Sequence, residues 1–184
     1  VEMPKGHIWE SGSEKDVNGI EFNPNMPTEE IFCLPHKYGV NGTLASTKPL
    51  VYGGNVINDF VLKFEKGRIV DFTAKEGEET LKHLIETDEG SHYLGEIALV
   101  PYSSPISDTN TVFYNTLYDE NASCHFAIGS AYSSCIEGGN DIKAEDFDKY
   151  GINDSLTHVD FMVGSADLDI VGITHDGEKI QIFK

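Results

Sequence analysis

The sequence predicts an α+β fold: a mainly antiparallel, barrel-like β domain with a few helices. Three observations carry this reading. Strand-patterned runs outnumber helical ones along the 184 residues. Two pairs of those runs are joined by short glycine-bearing turns, a connection that only antiparallel neighbours can use. The regular strand–helix–strand alternation that builds a parallel sheet is missing.

Residues 1–28 are rich in Gly, Pro, Asn and charge, and read as loops leading into "PTEEIFCLP". From Glu30 the chain alternates, with Glu30, Phe32, Leu34 and His36 set against Ile31 and Cys33. This predicts a strand stopped by Pro35. "NVINDFVLKFEKGRIVDFTA", 55–74, is a hairpin in which Gly67 supplies the positive φ of the turn. "GEETLKHLIETD", 77–88, has apolar residues at 81, 84 and 85, a helical spacing. "YLGEIALVP" reads as a buried strand ended by Pro101. "TNTVFYNTLYDENASCHFAIGSAY", 109–132, is too long for one strand, and predicts a helix near 110–118, a turn, and a second short helix around His125. "LTHVDFMVG" is a strand. The chain closes on a hairpin, "LDIVGITHDGEKIQIFK", turning at Asp176-Gly177.

Bulk chemistry narrows the function. A length of 184 residues suits one domain with its own core. The net charge of −18, from 13 basic and 31 acidic residues, argues against nucleic acid and anionic membrane as partners. It fits a solubility role and also suits cationic ligands. No apolar run approaches the ~20 residues of a membrane span. Cys33, Cys124 and Cys135 are too few for a disulfide framework and form no CxxC, which points to a reducing, cytoplasmic setting. GxGxxG and GxxxxGK[ST] loops are absent. Val1 stands where an initiator Met would, so the chain is expected to be a fragment or a processed product.

Several polar residues lie in apolar surroundings. In "YLGEIALVP", Glu96 shares a strand face with Leu94, Ala98 and Val100. It either faces water from an edge strand or is buried, and a buried carboxylate needs a compensating cation. Glu30, beside its competitor Glu29, opens the "IFCL" strand. In the expected helix, His125 and Tyr132 are seven residues apart and share a face. In "HVDFMVG", His158 and Asp160 emerge side by side, as two ligands to a metal or as a solvent-facing hydrogen-bonded pair. Taken together, two Glu, two His and one Asp make a hard donor set without thiolates. Such a set suits Zn²⁺, Co²⁺ or Mn²⁺. Five to six donors exceed what one tetrahedral ion takes and fit a two-metal hydrolase. His7, His83, His92 and His175 fall outside these patterns, and His36, on the Glu30 face, is held in reserve.

These residues and their order resemble the M29 family of metallo-aminopeptidases. The matching stretches are "PKGHIW", "NMPTEEIF", "VNGTLASTKPL", "LGEIALVP", "FYNTLYDENASCHFAIGSAY" and "HVDFMVGSADLDI". The insert-like "CIEGGNDIKAEDFDKYGIN" leaves them undisturbed. The resemblance implies that residues 1–184 are a single metal-binding catalytic domain, the C-terminal half of a longer family chain whose N-terminal α/β domain is absent. It also implies a cylindrical β-rich fold and a homodimer. The family's metal ligands carry over onto Glu30, Glu96, His125, Tyr132, His158 and Asp160, with Glu29 set aside. The implied activity is removal of N-terminal amino acids from peptides by a water activated between two divalent ions (Zn, Co or Mn, with Mg also admissible). Glu96 is the candidate bridge. Glu30 and Glu96 are both candidates for the proton-carrying carboxylate. Tyr132 is a weak ligand or a donor to the oxyanion. Two other readings stand beside this one: a non-catalytic, metal-stabilised binding or dimerisation module, and a different two-metal amidohydrolase. Phosphate substrates usually recruit arginine, and Arg68 is the sole arginine.

Overall fold

The computed structural model describes residues 1–25 and 29–184. Met26, Pro27 and Thr28, part of the "NMPTEEIF" stretch, lie outside the described residues. The strands, in chain order, are β1 (Glu10–Ser11), β2 (Glu14–Lys15), β3 (Glu21–Phe22), β4 (Ile31–Cys33), β5 (Gly42–Ala45), β6 (Leu50–Tyr52), β7 (Asn55–Glu65), β8 (Arg68–Glu76), β9 (Leu94–Leu99), β10 (His125–Gly129), β11 (His158–Met162), β12 (Ile170–Ile173) and β13 (Lys179–Phe183). Three short helices accompany them: α1 (Glu78–Ile85), α2 (Thr116–Asp119) and α3 (Phe147–Tyr150). The first 25 residues are thus mostly loop, with three two-residue strands among them.

Two sheets organise the chain. One is five-stranded, in the order β1-β4-β9-β10-β11, and every pairing in it is antiparallel. In the other, the long strand β7 pairs with β5 and β6 along one edge and with β8 along the other. The expected β7–β8 hairpin is present, turning at Lys66-Gly67. Gly67 has φ 81°, and a Cβ there would sit 1.8 Å from the Lys37 carbonyl oxygen. The terminal β12–β13 hairpin forms as expected, as does the helix after β8.

Strand alternation gives the five-stranded sheet two chemically different faces. Leu94, Phe126, Ile128 and Phe161 point one way, into a core they share with Ile57, Phe60, Leu62 and Phe64 of β7 and with Leu81, Leu84 and Ile85 of α1. The opposite face carries Glu96, His125, Ala127, His158 and Asp160, which the register sets in adjoining rows.

Three expectations are corrected here. Among the described residues no sheet closes into a barrel: the five-stranded sheet keeps free edges at β1 and β11. Its apolar face is covered by the second sheet and α1, so burial is achieved without closure. The second short helix around His125 is also absent, because His125 opens β10, the strand between β9 and β11. All five residues of β10 are buried, and a strand buried on both faces reads as a continuous apolar run that periodicity cannot separate from a helix. Only a remnant of the helix expected near 110–118 exists, as α2, capped by the Asn115 side chain accepting from the Leu117 N–H. Among the described residues, no helix is long and apolar enough to cross a membrane.

Candidate metal centre

Register brings the site together. Ala127 on β10 pairs with Glu96 of β9 on one side and with Asp160 of β11 on the other. Paired residues of an antiparallel ladder project to the same face, so the two carboxylates flank a methyl group. His125 lies two residues from Ala127 and His158 two from Asp160, which keeps both imidazoles on that face. Glu30, just before β4, joins from the far side of β9. A bulge between β9 and β10 aims Glu96: the register steps from Ala127–Glu96 to Ile128–Leu94, leaving Gly95 as the extra residue. Its backbone packs so closely that a Cβ would stand 2.1 Å from the Ser130 carbonyl oxygen.

The donors form two groups that share one member. Glu30, Glu96 and His125 offer ligand atoms all within 4.8 Å of one another, as do Glu96, His158 and Asp160. His125 Nε2 is 3.1 Å from Glu30 Oε1 and 3.3 Å from Glu96 Oε1. His158 Nε2 is 3.5 Å from Glu96 Oε2 and 3.6 Å from Asp160 Oδ1. A tetrahedron with metal–ligand bonds of ~2.0–2.1 Å has edges of about 3.3–3.4 Å, so the imidazole–carboxylate distances in both groups are those of neighbouring ligands on one ion.

Hydrogen bonding sharpens this fit. His125 Nδ1 lies 3.0 Å from the Ser123 carbonyl oxygen, and His158 Nδ1 lies 2.7 Å from that of Ser130. A carbonyl only accepts, so each Nδ1 carries the proton, and in the neutral ring Nε2 presents a lone pair to the carboxylates. Buried His125 Nε2 and Asp160 Oδ1 make no directed hydrogen bond, the short His125 contacts included. Buried orphan atoms of this kind, each set in a group of carboxylates and imidazole, call for a cation or a proton. Without an ion the site answers with protons. Burial opposes a charge on His125, but Glu30 and Glu96 outweigh it and carry the imidazole well above its ordinary range. For His158, burial is overcome by Asp160 and Glu96, and the value rises to about 11. Burial pushes Glu96 up, yet the two imidazoles hold it at about 2.

Five of the six residues singled out from the sequence therefore meet in one cluster. Tyr132 stands at its rim, half exposed, with its ring 4.9 Å from that of His158 and edge-on to Phe32 at 6.1 Å. Burial and the nearby carboxylates, only partly opposed by His158, raise its phenol, which keeps it a neutral hydrogen-bond donor. His36, the reserve histidine, lies outside both donor groups and accepts the Tyr38 N–H.

One residue was missed. Glu120 follows α2 and lines the same cleft of about 380 Å³ as Glu30, Glu96, His158 and Asp160. Burial, then the charge of Asp160, pushes its carboxyl up to about 9. In the sequence it is half of an Asp119–Glu120 pair that reads as a solvated turn. The structure divides the two: Asp119 accepts the Phe113 and Asn115 N–H groups and fixes the loop, which leaves Glu120 turned to the cleft. The faint signal was its position five residues before His125 in a segment otherwise short of charge.

An antiparallel sheet face bearing two donor groups joined by a shared glutamate has the chemistry of a divalent-metal site. The sequence profile described as thermophilic metalloprotease (M29) matches residues 1–184, and the chain belongs to that family. It is 56% identical over 184 residues to Aminopeptidase 2 of Geobacillus stearothermophilus and 59% identical to Aminopeptidase AmpS of Bacillus subtilis. The structure is similar to that of wild-type AmpT from Thermus thermophilus, with a TM-score of 0.92 at 43% identity over 99% of this chain. In each case the chain spans 45% of the relative's length.

Proposed function

We propose that this chain is the metal-binding catalytic domain of a longer aminopeptidase, removing N-terminal residues from peptides. The observation that carries the reading is the sharing of Glu96 between two donor groups of ligand spacing. Glu30, Glu96 and His125 would hold one divalent ion (Zn, Co or Mn), and Glu96, His158 and Asp160 would hold a second. Such ions, when bound, supply Lewis acidity and make a water nucleophilic near neutral pH.

The protein's own groups do the rest. The Ser123 and Ser130 carbonyls orient the two imidazoles so that Nε2 faces inward. Glu30 and Glu96 are both committed to donor groups, so the proton carrier is Glu120, a protonatable carboxyl on the cleft wall with one oxygen held by Asn25. Tyr132, a neutral phenol at the rim, donates to the oxygen that becomes negative as the carbonyl is attacked. The family and its named aminopeptidases support this reading over a non-catalytic module. The protein is a cytoplasmic homodimer: the free thiols fit a reducing compartment, and one face of the β12–β13 hairpin exposes Ile180 and Ile182, an apolar patch suited to a second copy.

The test is hydrolysis of amino-acyl p-nitroanilides by the full-length protein after chelation and after add-back of Zn²⁺, Co²⁺ or Mn²⁺. Activity should vanish, return with metal, and be absent on N-acetylated substrates. Chelator-resistant activity, or equal cleavage of blocked substrates, refutes the proposal. Metal binding with no hydrolysis favours the non-catalytic module.

A further inference from the structure

The cleft extends beyond the metal cluster, and its far end has a chemistry of its own. β1 pairs with β4 so that Glu10 lies opposite Phe32, and Phe32 lies opposite Ala98 of β9, which in turn faces His125. Glu10 therefore projects to the same face as the cluster, two strand spacings or about 10 Å from β9. Phe32 lies between, packed edge-on against Tyr132. Two residues past Tyr132, the Ser134 hydroxyl donates to Glu10 Oε2 at 3.1 Å. One short segment, Tyr132–Ser134, thus lines the slot at both ends, beside His158 and beside Glu10. Across it stands Leu117, half exposed.

Glu10 has no basic partner among the described residues. Among the described residues, no Lys, Arg or His lies within ion-pair distance of it, although it is half-buried and oriented by Ser134. A partly desolvated carboxylate at the end of an aromatic-walled slot is complementary to a long side chain with an apolar stem and a cationic head. Arg and Lys have that form, and a guanidinium or ammonium head also benefits from the ring faces on the way.

We propose that the slot running from Phe32 to Glu10 is the side-chain subsite for the substrate's N-terminal residue, and that Glu10, held by Ser134, selects Arg and Lys there. This rests on the aminopeptidase reading of the neighbouring cluster. It adds a specificity determinant that lies outside both donor groups.

The experiment has two arms, both on the metal-loaded full-length protein and its Glu10→Gln and Ser134→Ala variants. In the first, kcat/KM is measured for Arg-, Lys-, Leu- and Phe-p-nitroanilide. Glu10→Gln keeps size and a hydrogen-bond acceptor for Ser134, so it removes charge with little threat to folding. The Arg/Leu ratio should fall about tenfold or more, as expected for loss of a hydrogen bond to a charged group. Ser134→Ala should lower the same ratio by less. In the second arm, calorimetry measures binding of argininamide and leucinamide, which needs no turnover. Argininamide should bind more tightly to the parent protein and lose that advantage in Glu10→Gln.

An equal loss on all substrates, or an unchanged Arg/Leu ratio, overturns the subsite while leaving the aminopeptidase reading intact. No hydrolysis of any substrate, with argininamide binding that still depends on Glu10, overturns the aminopeptidase reading and retains Glu10 as a cation-binding residue. Argininamide and leucinamide binding alike in the parent protein overturns the proposal outright.

Discussion

Loading the centre with a divalent ion should expel protons, and the number follows from the geometry. In each histidine Nδ1–H is engaged by a carbonyl, so Nε2 is the nitrogen that can ligate, and it can do so only without its own proton. In the ion-free protein that proton is present at pH 7. His158 titrates at about 11, and His125 is held well above its ordinary value by Glu30 and Glu96. Two protons must therefore leave, one per imidazole. Glu120, at about 9, is also protonated at pH 7 and sits against Asp160. Burial, the larger cause, persists when a cation stands beside Asp160, but the part due to the Asp160 charge is removed, so Glu120 gives up at most a third proton. The sign is fixed: these groups bind more protons without metal than with it, so affinity rises with pH. Each displaced proton contributes a factor of ten per pH unit, so Zn²⁺ affinity should climb about 10²- to 10³-fold between pH 6 and 7. Isothermal titration in buffers of different ionisation enthalpy counts the protons directly. Glu120→Gln should lower the count by up to one while leaving the histidine protons in place. A count near zero, or affinity flat across that pH range, would refute the reasoning, because Nε2 would then already be bare and the imidazole–carboxylate contacts would not be ion pairs.

Two further outcomes test the frame around the centre. Gly95→Ala puts a methyl about 2 Å from the Ser130 carbonyl, in a bulge with no room to yield; it should cost about 2–4 kcal/mol in denaturant unfolding and weaken metal binding together, since the bulge aims Glu96. Replacing Ile180 and Ile182 on the terminal hairpin with Lys should halve the mass seen by light scattering and leave the metal content of each chain unchanged.

Strands patterned on one face were legible from the sequence, and so was the chemistry they carry. The His158–Asp160 spacing stood out because β11 alternates polar and apolar residues, and Glu96 stood out as the one charge in an apolar run. The hairpins announced themselves through Gly67 and Gly177. Illegible features share a physical cause: they depend on partners distant in sequence. β10 is buried on both faces, so "HFAIG" has no polar side to give a period, and a helix was an equally consistent reading. Barrel closure depended on what would cover the apolar face of the five-stranded sheet. The β7–β8 hairpin provides that cover, and no local pattern states it. Glu120 became distinguishable from Asp119 only once the loop had spent Asp119 on its own backbone.

The central strand also explains why the carboxylates can stand so close. On the site face of β10 the side chains run His125, Ala127, Gly129, from an imidazole to a methyl to nothing. Ala127 is opposite Glu96 and Asp160 at once, and Gly129 is opposite His158. A larger residue at 127 would fill the gap between the two carboxylates, and a Cβ at 129 would stand 2.1 Å from the Thr157 carbonyl oxygen, pressing on the residue that precedes His158. Two donor groups joined through one glutamate therefore require emptiness in the middle strand as much as ligands on its neighbours. The small residues of "HFAIG" look like weak strand formers when read alone. In register, they are the space in which two ions and a peptide's first residue would meet.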